Sequence, residues 1–283
     1  MCGIVGGINI SIENLEKMQN ALIHRGPDSG GNLIDKNILL GHRRLAIQDI
    51  DNGIQPLSIS SYSIVFNGEI YNHQKIRKNF LSNVDFKTSS DTETLIYLYA
   101  NFREKMFDMI DGMFSFCIHD KKRNKLIIAR DRAGKKPLYF FNDCEKFIFS
   151  SELNSIKNAI PEIKINNDAI SFYLRCGFMF KDYTPYKNIK SVKPGYWYNV
   201  DIETLNISRY KYFDIKRNYK NKSQSTFNEK LNYVDHILHK SIKNRLISSD
   251  LEVGAFLSGG IDSSLVVAVA SDYKKNLKTF TVK

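Results

Sequence analysis

A chain of 283 residues is long enough for one large domain or two ordinary ones. Its 42% hydrophobic and 25% charged residues are those of a soluble globular protein, and no apolar run approaches the roughly 18–20 residues of a membrane helix. The net charge of +11 raises nucleic acid as a partner, but ten Lys/Arg against three Asp/Glu fall between Arg209 and Ile247, which reads as a linker and a solvated helix face. The expectation is therefore no nucleic-acid partner and no membrane.

The opening does not read as a secretory signal, so the expected location is cytoplasmic. The four cysteines, Cys2, Cys117, Cys144 and Cys176, show neither C-x-x-C pairing nor histidines at metal spacing, and Cys117 reads as a buried structural thiol.

In chain order, residues 3–10 predict a Gly-punctuated strand. Asn14 to Ile23 predicts a helix that stops at Arg25-Gly26-Pro27-Asp28. Short strands are expected at Ile38–Leu40, Leu45–Ile47 and Ser63–Phe66, then a helix over Thr92–Glu104 with Asp91 as its N-cap. Antiparallel strands are expected at Gly112–Ile118, Lys125–Ala129, Pro137–Phe141 and Lys146–Phe149, a helix at Asp168–Arg175, and a strand pair at Gly195–Val200 and Ile207–Phe213.

The first two hundred residues are thus α+β, strand-rich with covering helices. A polar stretch, Asn218–Thr226, marks a boundary. Helix Phe227–Leu246, strand Val253–Leu257, helix Asp262–Tyr273 and strand Leu277–Val282 then predict the opening of a parallel α/β domain. Leu257, Val266, Val267, Val269 and Phe280 are expected to be partly exposed there.

Chemistry concentrates at a few positions. Cys2 in Met1-Cys2-Gly3 would become N-terminal on removal of Met1, placing a thiol and a free α-amine on one residue. The amine, with an ordinary pKa of about 7.7–8.0, can take the proton of a thiol near 8.5, so one residue supplies nucleophile and base.

Asn67-Gly68 ends a strand and offers a side-chain amide beside a backbone N–H, the equipment of an oxyanion hole. Arg44 suits a substrate carboxylate and Asp91 a substrate ammonium. Ser258-Gly259-Gly260-Ile261-Asp262-Ser263-Ser264 sits between a strand and a helix. Its glycines, hydroxyls and helix N-terminus suit a phosphate, with Asp262 able to hold Mg²⁺, although the Walker lysine is absent.

These segments occur together with His24-Arg25-Gly26-Pro27-Asp28, His42-x-Arg44-Leu45-x-Ile47, Gln55-Pro56-Leu57 and Asn67-Gly68-Glu69-Ile70-Tyr71-Asn72. Ser90-Asp91-x-Glu93, Gly112-Met113-Phe114-x-Phe116, Ala129-Arg130-Asp131-Arg132-x-Gly134-x-Lys136-Pro137-Leu138-Tyr139 and Ser151-Glu152 follow in order. The chain resembles the glutamine-hydrolysing asparagine synthetases of bacterial type over essentially its whole length.

The resemblance implies an αββα N-terminal-nucleophile sandwich of two antiparallel sheets over residues 2–205, a basic linker at 206–226, and the beginning of a parallel α/β ATP-pyrophosphatase domain at 227–283. It implies that Cys2 attacks the glutamine side-chain amide, Asn67 and Gly68 hold the oxyanion, Arg44 takes the α-carboxylate, and Glu69 and Asp91 hold the α-amino end. Backbone near Ile47 and Gln48 would complete the pocket.

ATP and pyrophosphate fall to Phe256, Leu257, Ser258, Gly259, Gly260, Ile261, Asp262, Ser263, Ser264 and Val282, with Mg²⁺ at Asp262 through phosphate. No cofactor is implied for the glutaminase half. The implied small molecules are glutamine, aspartate and ATP, and the family is compatible with a homodimer. A related amidotransferase acting on another carboxylate, such as a sugar acid, is the alternative. Family members continue past Lys283, so this chain by itself is expected to hydrolyse glutamine without making asparagine.

Overall fold

Two compact units divide the chain, Met1–Ala46 with Asp51–Asp214, and Ile47–Ile50 with everything from Ile215 onward. The structure is a computed structural model and describes all residues except 161, 220–223 and 283. Part of the stretch read as linker, and Lys283, thus lie outside the described residues.

In the first unit the strands are β1 (Gly3–Ile8), β2 (Ser29–Asp35), β3 (Ile38–Arg44), β4 (Leu57–Ile59), β5 (Tyr62–Ile70), β6 (Gly112–Asp120), β7 (Lys125–Arg130), β8 (Tyr139–Asn142), β9 (Phe147–Ser150), β10 (Ile189–Ser191), β11 (Tyr196–Asp201) and β12 (Ile207–Lys211). Among the described residues they form two antiparallel sheets, ordered β10-β8-β9-β1-β3-β2 and β12-β11-β7-β6-β5-β4.

Period-two alternation decides what each face buries. Along β5, Tyr62, Ile64 and Phe66 face helices while Val65 joins Ile4, Ile8 and Leu40 of β1 and β3 in a core between the sheets. Cys117, Ile128, Phe140, Phe149 and Tyr198 complete that inner layer, so Cys117 is the buried structural thiol the sequence implies.

Helices α1 (Ile12–Asn20), α2 (His73–Phe80), α3 (Asp91–Phe102), α4 (Leu153–Ala159) and α5 (Asn167–Cys176) belong to the same unit. Ile76 of α2 and Leu95 and Leu98 of α3 pack on Phe66 and Phe116. Leu15 and Met18 of α1 and Ile156 of α4 pack on Val5, Leu39 and Ile148. The result is the expected αββα order of layers, each apolar face covered by another.

Local expectations fail in instructive places. Leu45–Ile47 is not a strand, because β3 continues from Ile38 to Arg44 and the chain then leaves the sheet. Asp91 is not the N-cap of α3. Ser90 fills that role, its Oγ accepting from Glu93 N at 3.3 Å, and Asp91 lies buried in the first turn. Helix α1 starts at Ile12, two residues early, because Ser11 caps it through Asn14 N at 3.1 Å.

The second unit holds α6 (Ile215–Tyr219), α7 (Phe227–Leu246), β13 (Ala255–Phe256), α8 (Ile261–Tyr273) and β14 (Thr279–Phe280). Helix α7 has the predicted bounds, fixed by a capping box between Thr226 and Glu229. Strands β13 and β14 pair in parallel, as a βαβ opening requires, but cover two residues each. The buried core there consists of Ile242, Val269 and Ala270. Val266 and Phe280 are exposed as expected, whereas Val269 is not: it points back against α7 and is buried.

Candidate functional site

Cys2 lies one residue ahead of the β1 ladder, whose register opens at Gly3 opposite Arg43. Its Sγ donates to Leu45 O at 3.6 Å. Burial pushes the thiol above its ordinary pKa, and the positive charges of the chain-terminal ammonium and Arg44 pull the other way. A half-buried thiol of this kind needs a base to become a nucleophile.

Asn67 is on β5, nearly inaccessible, and its Nδ2 is buried with no hydrogen-bond partner among the described residues. An unpaired buried amide costs about 1–3 kcal/mol, which a native fold keeps where the donor awaits an acceptor. Gly68 follows it. A Cβ there would lie 2.2 Å from Met113 O, so the tight approach of β6 admits only glycine.

Arg44 ends β3 and is buried. Asp91 is buried too, its Oδ2 accepting from Ile70 N at 2.8 Å. Burial first, and then the nearby Glu69 charge, push its carboxyl up to about 7, while the Ile70 N–H pulls it down. Arg44 and Asp91 both act electrostatically on Cys2, and Glu69 acts on Asp91, so the thiol, the cation and the two carboxylates share one neighbourhood. A free amino acid, positive at one end and negative at the other, matches that pairing of Arg and Asp.

Three residues at this place escaped the sequence reading. Arg25 is buried, and its Nε donates to Cys2 O at 3.0 Å. His42, beside Ile4 in the register, is pushed down to about 3 by burial and is neutral near pH 7. Lys136 is buried in a loop whose N–H groups at Ala133, Lys135 and Lys136 all donate to Asp131. Burial and the Arg25 charge lower its ammonium, and the Cys2 and Glu69 charges raise it, so it sits near both. The signal was present in the His-Arg-Gly-Pro-Asp and Arg-Asp-x-x-Gly-x-Lys strings, but a string gives no direction in which a side chain points.

Ile47 and Gln48 fall elsewhere in the division of the chain. Ile47–Ile50 groups with the second unit, where Gln48 Nε2 donates to Ser248 O at 3.1 Å and Asp49 N to Asp250 Oδ2 at 2.7 Å.

In that unit, Ser258–Ser264 forms the turn from β13 into α8. Ser258 Oγ and Ser263 Oγ are 3.0 Å apart, and Ser263 Oγ donates to Gly260 O at 3.1 Å. Gly259 has φ +81, a left-handed conformation that favours glycine, and a Cβ on it would meet nothing within 4 Å. The space beside Gly259 at the α8 N-terminus is therefore open, with Ser258, Ser264 and Asp262 exposed around it. That donor set fits a phosphate and its Mg²⁺. Phe256 and Val282 are highly exposed, at 78% and 89%, as flat apolar surface would be for a nucleoside.

Residues 1–212 match the glutamine amidotransferase domain family model, and residues 233–283 match the asparagine synthase model. Over the whole chain the sequence is 37% identical to asparagine synthetase [glutamine-hydrolyzing] 1 of Bacillus subtilis, covering 46% of that protein. It is 36% identical to the putative asparagine synthetase [glutamine-hydrolyzing] 2 of Methanocaldococcus jannaschii, covering 59%. The chain spans about half the length of these curated relatives. Among solved structures, the glutamine phosphoribosylpyrophosphate amidotransferase of B. subtilis superposes with a TM-score of 0.58 at 17% identity, over 99% of this chain and 65% of that one, a likeness of fold.

Proposed function

The chain belongs to the glutamine amidotransferase domain family, and on that premise we propose that its first unit hydrolyses the side-chain amide of free glutamine with Cys2 as nucleophile. The observation that carries this reading is the buried, unpartnered Asn67 Nδ2 beside Gly68 on β5, the strand whose Ile70 N–H holds the Asp91 carboxylate that acts on Cys2.

Once Met1 is removed, the Cys2 α-amine accepts the thiol proton as sulfur bonds to the amide carbon. The carbonyl electron pair moves to oxygen, where Asn67 Nδ2–H and the Gly68 N–H stabilise it better than they stabilise the neutral carbonyl. Collapse of this intermediate expels ammonia, protonated from the same amine, and leaves a thioester. Water then cleaves the thioester to glutamate and restores the thiol. Arg44 holds the α-carboxylate, and Asp91 with Glu69 holds the α-ammonium, which fixes the amide carbon over the sulfur.

The second unit supports ATP-dependent use of that ammonia, with aspartate as the acceptor favoured by the match of residues 233–283. Ser258–Ser264 would hold the pyrophosphate and Asp262 the Mg²⁺, with Phe256, Leu257 and Val282 near the adenosine. Bound ATP supplies the leaving group that makes a carboxylate open to attack by ammonia. The proposed location is the cytoplasm.

The covalent step is tested by rapid acid quench of the purified 283-residue chain in excess glutamine, followed by intact-mass measurement. A glutamyl adduct on the peptide beginning at Cys2 is expected, and its absence while glutamate accumulates would rule out the thioester route.

A further inference from the structure

We propose that Glu152 is a positioning residue for the nucleophile, acting through Arg25 on the Cys2 backbone; this rests on the glutaminase reading. The Cys2 carbonyl lies outside the β1–β3 register and is held by Arg25 Nε at 3.0 Å. Arg25 is itself a buried cation, its side chain 8% exposed, and its Nη2 has no partner among the described residues. A guanidinium so placed stays in position only if an opposite charge holds it. Glu152 Oε1 accepts from Arg25 Nη1 at 3.0 Å and supplies that charge.

Glu152 is free to do so for a local reason. It occupies the N-cap position of α4, yet its side chain makes no capping hydrogen bond. The carboxylate turns instead toward Arg25, and the same Oε1 lies 3.0 Å from His24 Nε2. Its own backbone is fixed, since Glu152 N donates to Ser150 Oγ at 3.1 Å. The neighbouring Ser151 stitches this corner to β1 twice, through Ile4 N to Ser151 Oγ at 3.0 Å and Ser151 N to Ile4 O at 2.9 Å. The corner at the end of β9 is thus tied to β1 two residues beyond the nucleophile, and Glu152 extends that tie to the nucleophile itself.

Displacing Cys2 by about 1 Å misaligns sulfur against the amide carbon, worth on the order of 100-fold in rate. Glutamine's charged ends are read by Arg44 and Asp91, so its binding is untouched. Glu152→Ala is therefore expected to lower kcat about 10- to 100-fold with KM within about twofold of wild type. Glu152→Gln, which keeps an oxygen for Arg25 Nη1 but not the charge, is expected to recover only part of the rate. In an Arg25→Ala background, Glu152→Ala is expected to cost nothing further, because the path through Arg25 is already cut.

Iodoacetamide alkylation of Cys2, followed by mass spectrometry with exposed Cys144 and Cys176 as internal references, reads the same effect without glutamine. Its rate is expected to change several-fold at Cys2 alone in Glu152→Ala. Unchanged kcat and Cys2 alkylation in Glu152→Ala, additive losses in the double variant, or a loss that tracks the folded fraction by thermal melting would each overturn the proposal. If wild type releases no glutamate, the glutaminase reading fails, and the alkylation arm still decides the role of Glu152.

Discussion

The two units present their chemistry in opposite ways. In the first, Asn67, Arg44 and Asp91 are buried in a unit whose two sheets and covering helices build three hydrophobic clusters. In the second, Ser258–Ser264 lies almost wholly on the surface, and the core beneath is Ile242, Val269 and Ala270. Burial raises the worth of each polar contact and perturbs the groups that make it, which suits the proposed attack of a thiol on one small amide. An open turn at a helix N-terminus instead suits a charged, hydrated ligand that brings its own counter-ion.

The contrast is broken most forcefully in the cores. Phe149→Ala, at a fully buried position between the sheets, is expected to destabilise the first unit by about 3–5 kcal/mol. Phe280→Ala, at a position 54% exposed, is expected to change stability by no more than about 0.5 kcal/mol. Urea midpoints followed by hydrogen exchange in each unit check the pair, and equal losses would erase the distinction.

Removing Arg44 tests the buried site's electrostatics. Leaving one ligand charge unpaired costs about 2–5 kcal/mol, so Arg44→Ala is expected to lower kcat/KM for glutamine by roughly 30-fold or more with the fold intact. Steady-state kinetics with circular dichroism checks it, and an unchanged KM would contradict the assignment.

The smallest effect is a pH dependence at Asp91, whose carboxyl is pushed up to about 7. Only the ionised form pairs with the substrate ammonium. The free-enzyme profile of kcat/KM should therefore climb as pH rises through about 7, and Asp91→Asn should lower kcat/KM and remove that limb. The stability term has the opposite sense. A folded pKa raised above the ordinary 3.8 favours the fold fully below 3.8, and that contribution is lost as pH rises through about 7. Chemical denaturation at pH 5 and 8 in wild type and Asp91→Asn measures it.

Much of this was legible in the sequence. The α+β class followed from short alternating strands and a few amphipathic helices, the αββα layering came only with the family resemblance, and α7 was readable to the residue because Thr226 and Glu229 form a capping box. Element ends were less so, since Ser11 caps α1 ahead of the expected start at Asn14, and Ser90 rather than Asp91 caps α3. Of the proposed site residues, Cys2, Asn67 and Gly68 could be singled out because their chemistry is unusual for their positions. Arg25, Glu152 and Lys136 were not, because their roles arise from contacts such as that between Arg25 and Glu152, 127 residues apart in sequence. Strand β2, with glycines and polar residues on an edge, carried too weak an alternation to be seen.

The central claim is that Cys2 performs the amide hydrolysis, and glutamate release from free glutamine measures it most directly. Wild-type chain with Met1 confirmed absent by mass should release glutamate and ammonia in equal amounts, and Cys2→Ala should lose on the order of 10⁴-fold or more of that rate. Glutamate release by Cys2→Ala at a rate comparable to wild type would contradict the account.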